Sequence, residues 1–195
     1  MDNYIRNMEE YAHSNNIPIM LPDGIEFLCN YIRDNNINSI LEIGTAIGYS
    51  AIKMAMVNDK IKITTIERDK ERYDMAVNNI NNCNLSDRIT VIYGDAIDID
   101  VKDKFDLLFI DASKGHNIDF FERYKHNLYE DGVIVTDNLS FHGLVEDSEK
   151  AITKNQKGLV RKIKNFIEFL DNNKEYDTIY VNVGDKISIS KKNSI

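Results

Sequence analysis

Five short apolar segments, separated by segments with helical periodicity, constrain the fold of this chain more than any other feature of the sequence. They lie at residues 39–43, 62–66, 88–93, 105–110 and 132–136, and they are rich in β-branched side chains. Nearly continuous apolar strands that alternate with helices are typical of a parallel sheet covered on both faces. Ligands of such sheets bind beyond the carboxyl ends of the strands, so the functional residues are expected there.

Helical periodicity fills the intervals between these strands, and the end of the chain departs from the pattern. Helices are predicted near 2–14 and 22–35, through GYSAIKMAM, from 69 to about 81, around 117–128 and around 156–171. The segments DTIYVNV and KISISKK flank Gly184-Asp185, a two-residue hairpin signal, so the last strand should run antiparallel to its neighbour. We predict a single domain over residues 1–195, in which an N-terminal helical segment (1–36) precedes the core (37–195).

Composition and charge argue against several classes of protein. A net charge of −8 disfavours general adhesion to nucleic acids or anionic membranes. No apolar stretch approaches the ~20 residues of a membrane helix, and the acidic start lacks the pattern of a signal peptide, so we expect a cytoplasmic protein. Cys29 and Cys83 lie far apart without CxxC spacing, which argues against a zinc site or a redox pair.

The turn after the first strand has features of a ligand-binding loop. Gly44 and Gly48 in LEIGTAIGYS allow a tight turn and a close approach of the backbone to a ligand. Their GxxxG spacing is neither the GxGxxG of dinucleotide binders nor the GxxxxGK[ST] of phosphate loops, which disfavours a nicotinamide oxidoreductase. Glu42 lies within a buried strand, where a carboxylate requires a cation or hydrogen-bond donors.

The next two strands are followed by carboxylates. Glu67 ends the second strand, where an acidic side chain can accept both hydroxyls of a ribose, whereas Asp69 is placed to cap the following helix. Asp95 and Ala96 in YGDA lie in a turn where a carboxylate can bind an adenine amino group. Together these features indicate a nucleoside ligand with a positive centre and no phosphate, a description that matches S-adenosylmethionine.

The motifs LEIGTAIGYSA, TIERD, FIDASKGHNIDFF and GVIVTDN, in this order, carry a family resemblance. The chain resembles the class I methyltransferases, specifically the metal-dependent O-methyltransferase family that includes catechol and caffeoyl-coenzyme A methyltransferases. The resemblance extends from about NNIPIM to DKISISKK. It implies a Rossmann-like α/β fold, with a seven-stranded, mostly parallel sheet, an antiparallel C-terminal hairpin strand and helices on both faces. Together with the two N-terminal amphipathic helices, it also suggests a homodimer.

The resemblance implies a metal site where two buried strands end in FIDASK and VIVTDN. In this family the aspartate of IDAxK and the DN pair bind a divalent metal, and they match Asp111, Asp137 and Asn138. Three hard oxygen ligands suit Mg²⁺, and neighbouring strands bring their ends together. Lys114 would take the proton of the acceptor hydroxyl, with Asp111 as the second catalytic residue. Loop polarity and a surface lysine are the alternative interpretations.

The resemblance further implies which residues contact the cofactor. Contacts to S-adenosylmethionine are expected from Met20, Glu42, Gly44, Tyr49, Ser50, Glu67, Asp95, Ala96 and Asp111. The early segment IPIM should close over the site. The predicted activity is therefore magnesium-dependent transfer of a methyl group from S-adenosylmethionine to a hydroxyl oxygen.

Two classes of acceptor agree with this chemistry. The segments YAHSNNIPIM, ILEIGTAIGYSAIKMA, TTIERD and VIVTDNLSFHGLV are most similar to a compact bacterial group within the family. That group methylates 5-hydroxyuridine at the wobble position of tRNA, giving 5-methoxyuridine. Small catechols or phenols are the alternative, since both kinds of acceptor can chelate Mg²⁺. A non-catalytic protein that binds S-adenosylmethionine is the third hypothesis.

A local excess of basic residues favours tRNA. Residues 150–164 contain six basic side chains and no acid. They belong to a segment, FHGLVEDSEKAITKNQKGLVRKIK, that follows the predicted metal ligands, so they are expected to border the site and neutralise phosphates; a solvated helix face is the alternative. The candidate RNA contacts are Lys150, Lys154, Lys157, Arg161, Lys162 and Lys164. Because the whole chain is acidic, any affinity for RNA should be local and sensitive to salt.

Overall fold

Seven strands form one mixed sheet at the centre of the protein, in a computed structural model that describes residues 2–112, 115–150 and 153–193. The strands are β1 (Ser39–Ile43), β2 (Lys62–Glu67), β3 (Ile89–Tyr93), β4 (Phe105–Ile110), β5 (Leu128–Thr136), β6 (Tyr176–Val181) and β7 (Ile187–Lys192). Their order is β3-β2-β1-β4-β5-β7-β6. The first five run parallel, and β7 pairs antiparallel with both β5 and β6. The predicted mostly parallel sheet with an antiparallel last strand is confirmed.

Six α-helices in the described part of the chain connect and flank the strands. They are α1 (Asp2–Ser14), α2 (Pro22–Asp34), α3 (Tyr49–Ala55), α4 (Lys70–Asn82), α5 (Asn117–Tyr124) and α6 (Lys154–Asp171). The Asp69 side chain accepts a hydrogen bond from the Arg72 N–H at 3.0 Å, so the predicted cap of α4 is confirmed. Thr153 and Gln156 form a reciprocal capping box at the start of α6. No helix in the described part of the chain is long and apolar enough to cross a membrane.

The two faces of the sheet bury separate apolar clusters, because side chains alternate along each strand. Leu107 and Phe109 of β4 point to the face covered by α2 and α3, where Leu28 and Ile52 are fully buried. The intervening Leu108 of β4 belongs to the opposite face, which α5 and α6 cover. This two-sided burial explains why the strands are nearly continuous apolar runs.

Element boundaries differ from the prediction at two places. Helix α5 ends at Tyr124, because a 3₁₀ turn over Lys125–Asn127 leads directly into β5, which begins earlier than residue 132. The connection between β6 and β7 has five residues, 182–186, so the prediction of a two-residue hairpin loop is wrong. Asp185 is buried and Lys186 has φ +66°, so tertiary contacts rather than the strand ladder fix this turn.

Candidate functional site

A cavity of about 460 Å³ opens beyond the carboxyl ends of the parallel strands, at the edge of the sheet where ligands were expected. We refer to it as the main cavity. Its lining consists of Pro18, Ile19, Ile43, Gly44, Thr45, Ala46, Tyr49, Ser50, Ile66, Glu67, Arg68, Arg72, Gly94, Asp95, Ala96, Asp111, Ala112, Phe120, Asn138, Phe141 and Leu159. The turns after β1, β2, β3, β4 and β5 all contribute to this wall.

Most of the predicted site residues lie together in this lining. Those that line the main cavity are Gly44, Tyr49, Ser50, Glu67, Asp95, Ala96, Asp111 and Asn138. Three others, Met20, Glu42 and Asp137, are buried but do not line it. The neighbours of Met20, Pro18 and Ile19, do line the cavity, so the IPIM segment forms part of the wall as expected. Lys114 lies outside the described residues.

Gly44 makes the close approach of two turns possible. It has φ +101°, and a Cβ added there would lie 2.3 Å from the Asp111 carbonyl oxygen. The Asp111 N–H in turn donates to the Ile43 carbonyl at 3.0 Å. Only glycine fits this contact without moving the backbone, so the turn after β1 and the turn after β4 are held together at the cavity.

The Glu67 carboxylate is oriented by two backbone N–H groups. Oε2 accepts from Ala46 N at 2.8 Å, and Oε1 accepts from Asp69 N at 2.8 Å. The side chain is 7% exposed and faces the main cavity. Each carboxylate oxygen can accept a further hydrogen bond, so Glu67 remains able to bind two neighbouring hydroxyls.

Glu42 is completely buried and bonded to two hydroxyl groups. Ser50 Oγ donates to Oε1 at 2.5 Å, and Thr65 Oγ1 donates to Oε2 at 2.6 Å. Thr45 Oγ1 lies 2.6 Å from Thr65 Oγ1 and extends this network to the cavity wall. Burial raises the pKa of Glu42 from 4.5 to about 7; the two hydroxyls oppose the shift, and the Glu67 carboxylate adds to it. The donors that this buried carboxylate requires are thus hydroxyls, and Ser50 links it to the cavity.

The N-terminal helix contacts the cavity wall through Tyr49. The Tyr49 hydroxyl donates to Glu9 Oε1 of α1 at 2.7 Å, and its ring lines the main cavity. Burial, together with the Glu9 carboxylate, raises the pKa of Tyr49 above its usual value, so the phenol remains a hydrogen-bond donor at neutral pH. Helix α1 is therefore bonded to a residue predicted to touch the cofactor.

The three predicted metal ligands lie at the neighbouring ends of β4 and β5. Asn138 Nδ2 lies 2.9 Å from Asp111 Oδ1, and the Asn138 N–H donates to Asp137 Oδ1 at 2.7 Å. Asn138 has φ +68°, a conformation that asparagine tolerates better than most residues. A half-turn of the amide would present its oxygen instead of its nitrogen. Two carboxylates and one amide oxygen match the hard-oxygen ligands of Mg²⁺.

The candidate metal site at β4 and β5 combines carboxylates with an amide. Within residues 2–112, 115–150 and 153–193, no three His, Cys, Asp or Glu side chains are grouped so that they could hold an ion. The set at β4 and β5 contains two carboxylates, Asp111 and Asp137, and its third member is an amide. The donor types therefore fit a magnesium site, while the metal itself stays a prediction.

The predicted RNA-contacting residues lie on and next to α6. Lys154, Lys157, Arg161 and Lys164 are exposed at helical spacings of three and four, so they share one face of α6. Lys162 is exposed on a different side, and a Cβ added at Gly115 would lie 2.8 Å from its Nζ. Leu159 of the same helix lines the cavity. Lys150 precedes α6 and pairs with Asp147 at 3.0 Å.

Several residues that shape the site were not predicted. Thr65 was visible in the sequence as a polar residue within the second apolar strand, and the structure pairs it with Glu42 in the parallel register of β1 and β2. Arg68 and Arg72 line the cavity beside Glu67, and their proximity to the strand end was visible in TTIERDKER. Phe141 had no such signal, since it lies in a loop whose backbone conformation the sequence does not specify.

The chain is similar to known O-methyltransferases in sequence and in structure. The family model described as O-methyltransferase matches residues 2–193. The crystal structure of a "putative caffeoyl-CoA O-methyltransferase" from Staphylococcus aureus has a TM-score of 0.93 and 35% identity, covering 97% of this chain and 92% of that chain. The O-methyltransferase from Bacillus cereus in complex with SAH has a TM-score of 0.83 and 26% identity, covering 99% and 92%. The catechol O-methyltransferase of Mycobacterium tuberculosis is 30% identical over 131 residues, covering 65% of this chain and 60% of that protein.

Proposed function

Because the chain belongs to the O-methyltransferase family, we propose that it methylates 5-hydroxyuridine at the wobble position of tRNA in a magnesium-dependent reaction. The product would be 5-methoxyuridine. The broader activity, transfer of a methyl group from S-adenosylmethionine to an oxygen, follows from the family match and from the similar structure that contains SAH. The acceptor, the metal and the roles of individual residues are our proposals.

The contact between Asn138 and Asp111 is the observation that carries the proposal. It brings the predicted metal ligands to one edge of the same cavity that Glu67 and Ser50 line. A methyl donor bound along β1 and β2 would therefore lie beside an acceptor bound at the ends of β4 and β5. That adjacency is what a direct displacement requires, because the reacting atoms must approach closely and in line.

The cofactor-binding residues act by position and hydrogen bonding. Glu67 is oriented by two N–H groups and can accept the ribose hydroxyls, while Asp95 and Ala96 line the same cavity and would contact the adenine base. Ser50, which donates a hydrogen bond to Glu42, lines the same cavity. When bound, S-adenosylmethionine supplies a methyl group on a sulfonium, which is already activated for displacement.

The metal-side residues would prepare the acceptor oxygen. Asp111, Asp137 and Asn138 supply oxygen atoms of the type that Mg²⁺ binds. A bound ion lowers the pKa of a coordinated hydroxyl and fixes its direction of approach. Phe120 and Leu159 form apolar parts of the same cavity and limit the access of water. We retain the prediction that Lys114, which lies outside the described residues, receives the proton.

The exposed face of α6 supports tRNA as the acceptor. Lys154, Lys157, Arg161 and Lys164 form a row of positive charge on the exposed face of α6, and Leu159 on the opposite face of this helix lines the cavity. A nucleoside within an RNA loop would bring its flanking phosphates toward such a row. Because the net charge of the chain is −8, this attraction is local and should weaken steeply with salt.

A small catechol is the second candidate acceptor. It is favoured by the similarity to the catechol O-methyltransferase of Mycobacterium tuberculosis, which is 30% identical over 131 residues. A catechol has two adjacent oxygens, and 5-hydroxyuridine has a hydroxyl beside a carbonyl, so the same metal-side residues serve either acceptor. We also propose that the protein is a homodimer, which light scattering of the purified protein would test.

A transfer assay with matched acceptors separates these proposals. Purified protein is incubated with labelled S-adenosylmethionine and Mg²⁺, and with tRNA that carries either 5-hydroxyuridine or uridine at the wobble position. A simple catechol is the third acceptor, and each reaction is repeated with a chelator. We expect chelator-sensitive labelling of the hydroxyuridine tRNA alone. Transfer only to the catechol would refute the tRNA proposal, and transfer that persists in the chelator would refute the metal requirement.

A further inference from the structure

The loop that follows Asn138 has an unusual backbone conformation. Asn138, Phe141, His142 and Gly143 have φ values of +68°, +50°, +56° and +81°. Residues other than glycine rarely adopt positive φ values, and aromatic residues do so less often than asparagine. Asn138 and Phe141 nevertheless both line the main cavity. Residues 138–143, which we call the acceptor loop, therefore require support from outside the loop.

Asp185 provides that support from the connection between β6 and β7. Its Oδ1 accepts from His142 N at 2.7 Å, and its carbonyl oxygen accepts from Ser140 N at 2.9 Å. The neighbouring Lys186 carbonyl accepts from Leu139 N at 3.0 Å. Three hydrogen bonds, from the N–H groups of residues 139, 140 and 142, thus tie the acceptor loop to a segment more than forty residues further along the chain.

Burial of the Asp185 carboxylate costs free energy that its hydrogen bonds offset only in part. Its side chain is 5% exposed, and among the described residues its Oδ2 has no hydrogen-bond partner. A buried carboxylate with an unsatisfied oxygen is destabilising, and an apolar residue would fill the same volume without this cost. The carboxylate accepts a hydrogen bond from the His142 N–H, and this bond holds the backbone next to Phe141.

We propose that Asp185 is a positioning residue for the acceptor: it holds the acceptor loop so that Asn138 and Phe141 keep their places on the cavity wall. The inference rests on the proposed function, because that function places the acceptor at this end of the cavity. Asp185 does not line the cavity, so its effect passes through the loop. Glu67 at the end of β2 and Ser50 in α3 lie on elements separate from the acceptor loop, so cofactor binding by these residues should not depend on Asp185.

Two substitutions at Asp185 and one elsewhere test this role. Asp185→Ala removes the acceptor of the His142 N–H, whereas Asp185→Asn retains an oxygen at the same position. The matched control is Asp106→Ala, because Asp106 Oδ2 also accepts backbone N–H groups, from Asn38 at 2.9 Å and Ser39 at 2.8 Å. Asp106 lies at the amino end of β4, on the edge of the sheet away from the cavity.

Steady-state kinetics and hydrogen exchange provide independent readouts. In Asp185→Ala we expect the KM of the acceptor, hydroxyuridine tRNA or catechol, to rise about tenfold with the KM of S-adenosylmethionine unchanged. Amide exchange in a peptide covering residues 139–147 should accelerate about tenfold as well. Asp185→Asn should restore both values to within about twofold of the unaltered protein, since it keeps the hydrogen bond.

The exchange and kinetic results test the role of Asp185 separately from the proposed methyltransferase activity. Unchanged exchange in residues 139–147 of Asp185→Ala would overturn the inference, as would equal kinetic changes in Asp106→Ala. Faster exchange with an unchanged acceptor KM would reduce Asp185 to a structural role and would also overturn it. If the unaltered protein methylates neither tRNA nor catechol, the proposed function fails, and the exchange comparison still decides whether Asp185 holds the acceptor loop.

Discussion

Replacing Glu42 by glutamine tests how a buried acid affects the stability of this protein. Glu42 is fully buried, and burial raises its pKa from 4.5 to about 7. The folded state therefore binds more protons than the unfolded state between these two pH values. The contribution of Glu42 to stability is fully present below pH 4.5 and is lost as the pH rises through 7.

The magnitude follows from the size of the shift. One pKa unit corresponds to about 1.4 kcal/mol, so the change from 4.5 to about 7 corresponds to about 3 kcal/mol. Most of it should appear between pH 5 and pH 8. Glutamine at position 42 does not titrate, and it can still accept from Ser50 while its amide donates to Thr65. Thr65 can then donate to Thr45, because either hydroxyl of that pair can act as the donor.

Urea unfolding at several pH values measures this difference. Between pH 5 and pH 8, the unaltered protein should lose about 2 to 3 kcal/mol more unfolding free energy than Glu42→Gln. Glu130→Gln, on an exposed part of β5, is the control, because it changes the net charge equally without altering a buried group. Parallel pH dependences for the unaltered protein and Glu42→Gln would refute the assignment of a raised pKa to Glu42.

Three further predictions concern the cavity and the basic face. Gly44→Ala should lower the unfolding free energy by at least about 2 kcal/mol in urea, because its Cβ would lie 2.3 Å from the Asp111 carbonyl; a smaller loss would contradict the tight contact. Glu67→Gln should weaken S-adenosylmethionine binding about tenfold or more by calorimetry, and unchanged affinity would remove Glu67 from the site. Lys157→Glu with Arg161→Glu should weaken tRNA binding and reduce its salt dependence, with catechol methylation unaffected; an unaltered salt slope would argue against RNA on α6.

Residues at strand ends were predictable because a parallel sheet places its carboxyl ends at one edge. Asp111 and Asn138 follow different strands in the sequence, yet the pairing of β4 with β5 brings them within 2.9 Å. Glu67 could be assigned to the same edge by the same reasoning, and Asp69 to the helix cap. These assignments need only strand order and direction, which hydrophobic patterning specifies well.

Contacts that depend on side-chain geometry were less accessible to sequence reasoning. Met20 was expected to touch the cofactor; its side chain is buried beside Gly24 and does not line the cavity, so this contact stays a prediction. The direction of a side chain in a segment without regular structure depends on tertiary packing, which periodicity does not encode. The loop of residues 182–186 was mispredicted for a related reason, because the Gly184-Asp185 signal does not reveal that Asp185 is buried.

The four buried acids of the described chain, Glu42, Glu67, Asp137 and Asp185, lie at or near one edge of the sheet. Three are at or beyond the carboxyl ends of parallel strands, and Asp185 precedes β7, whose antiparallel direction places its start at the same edge. Burial of a carboxylate opposes folding, so a sequence selected for stability alone would use apolar residues there. Backbone N–H groups donate hydrogen bonds to Glu67 and Asp185, and hydroxyl groups donate to Glu42, so these bonds fix the orientation of the carboxylates. Local stability is therefore lower at this edge, and the geometry gained is that of the cavity wall.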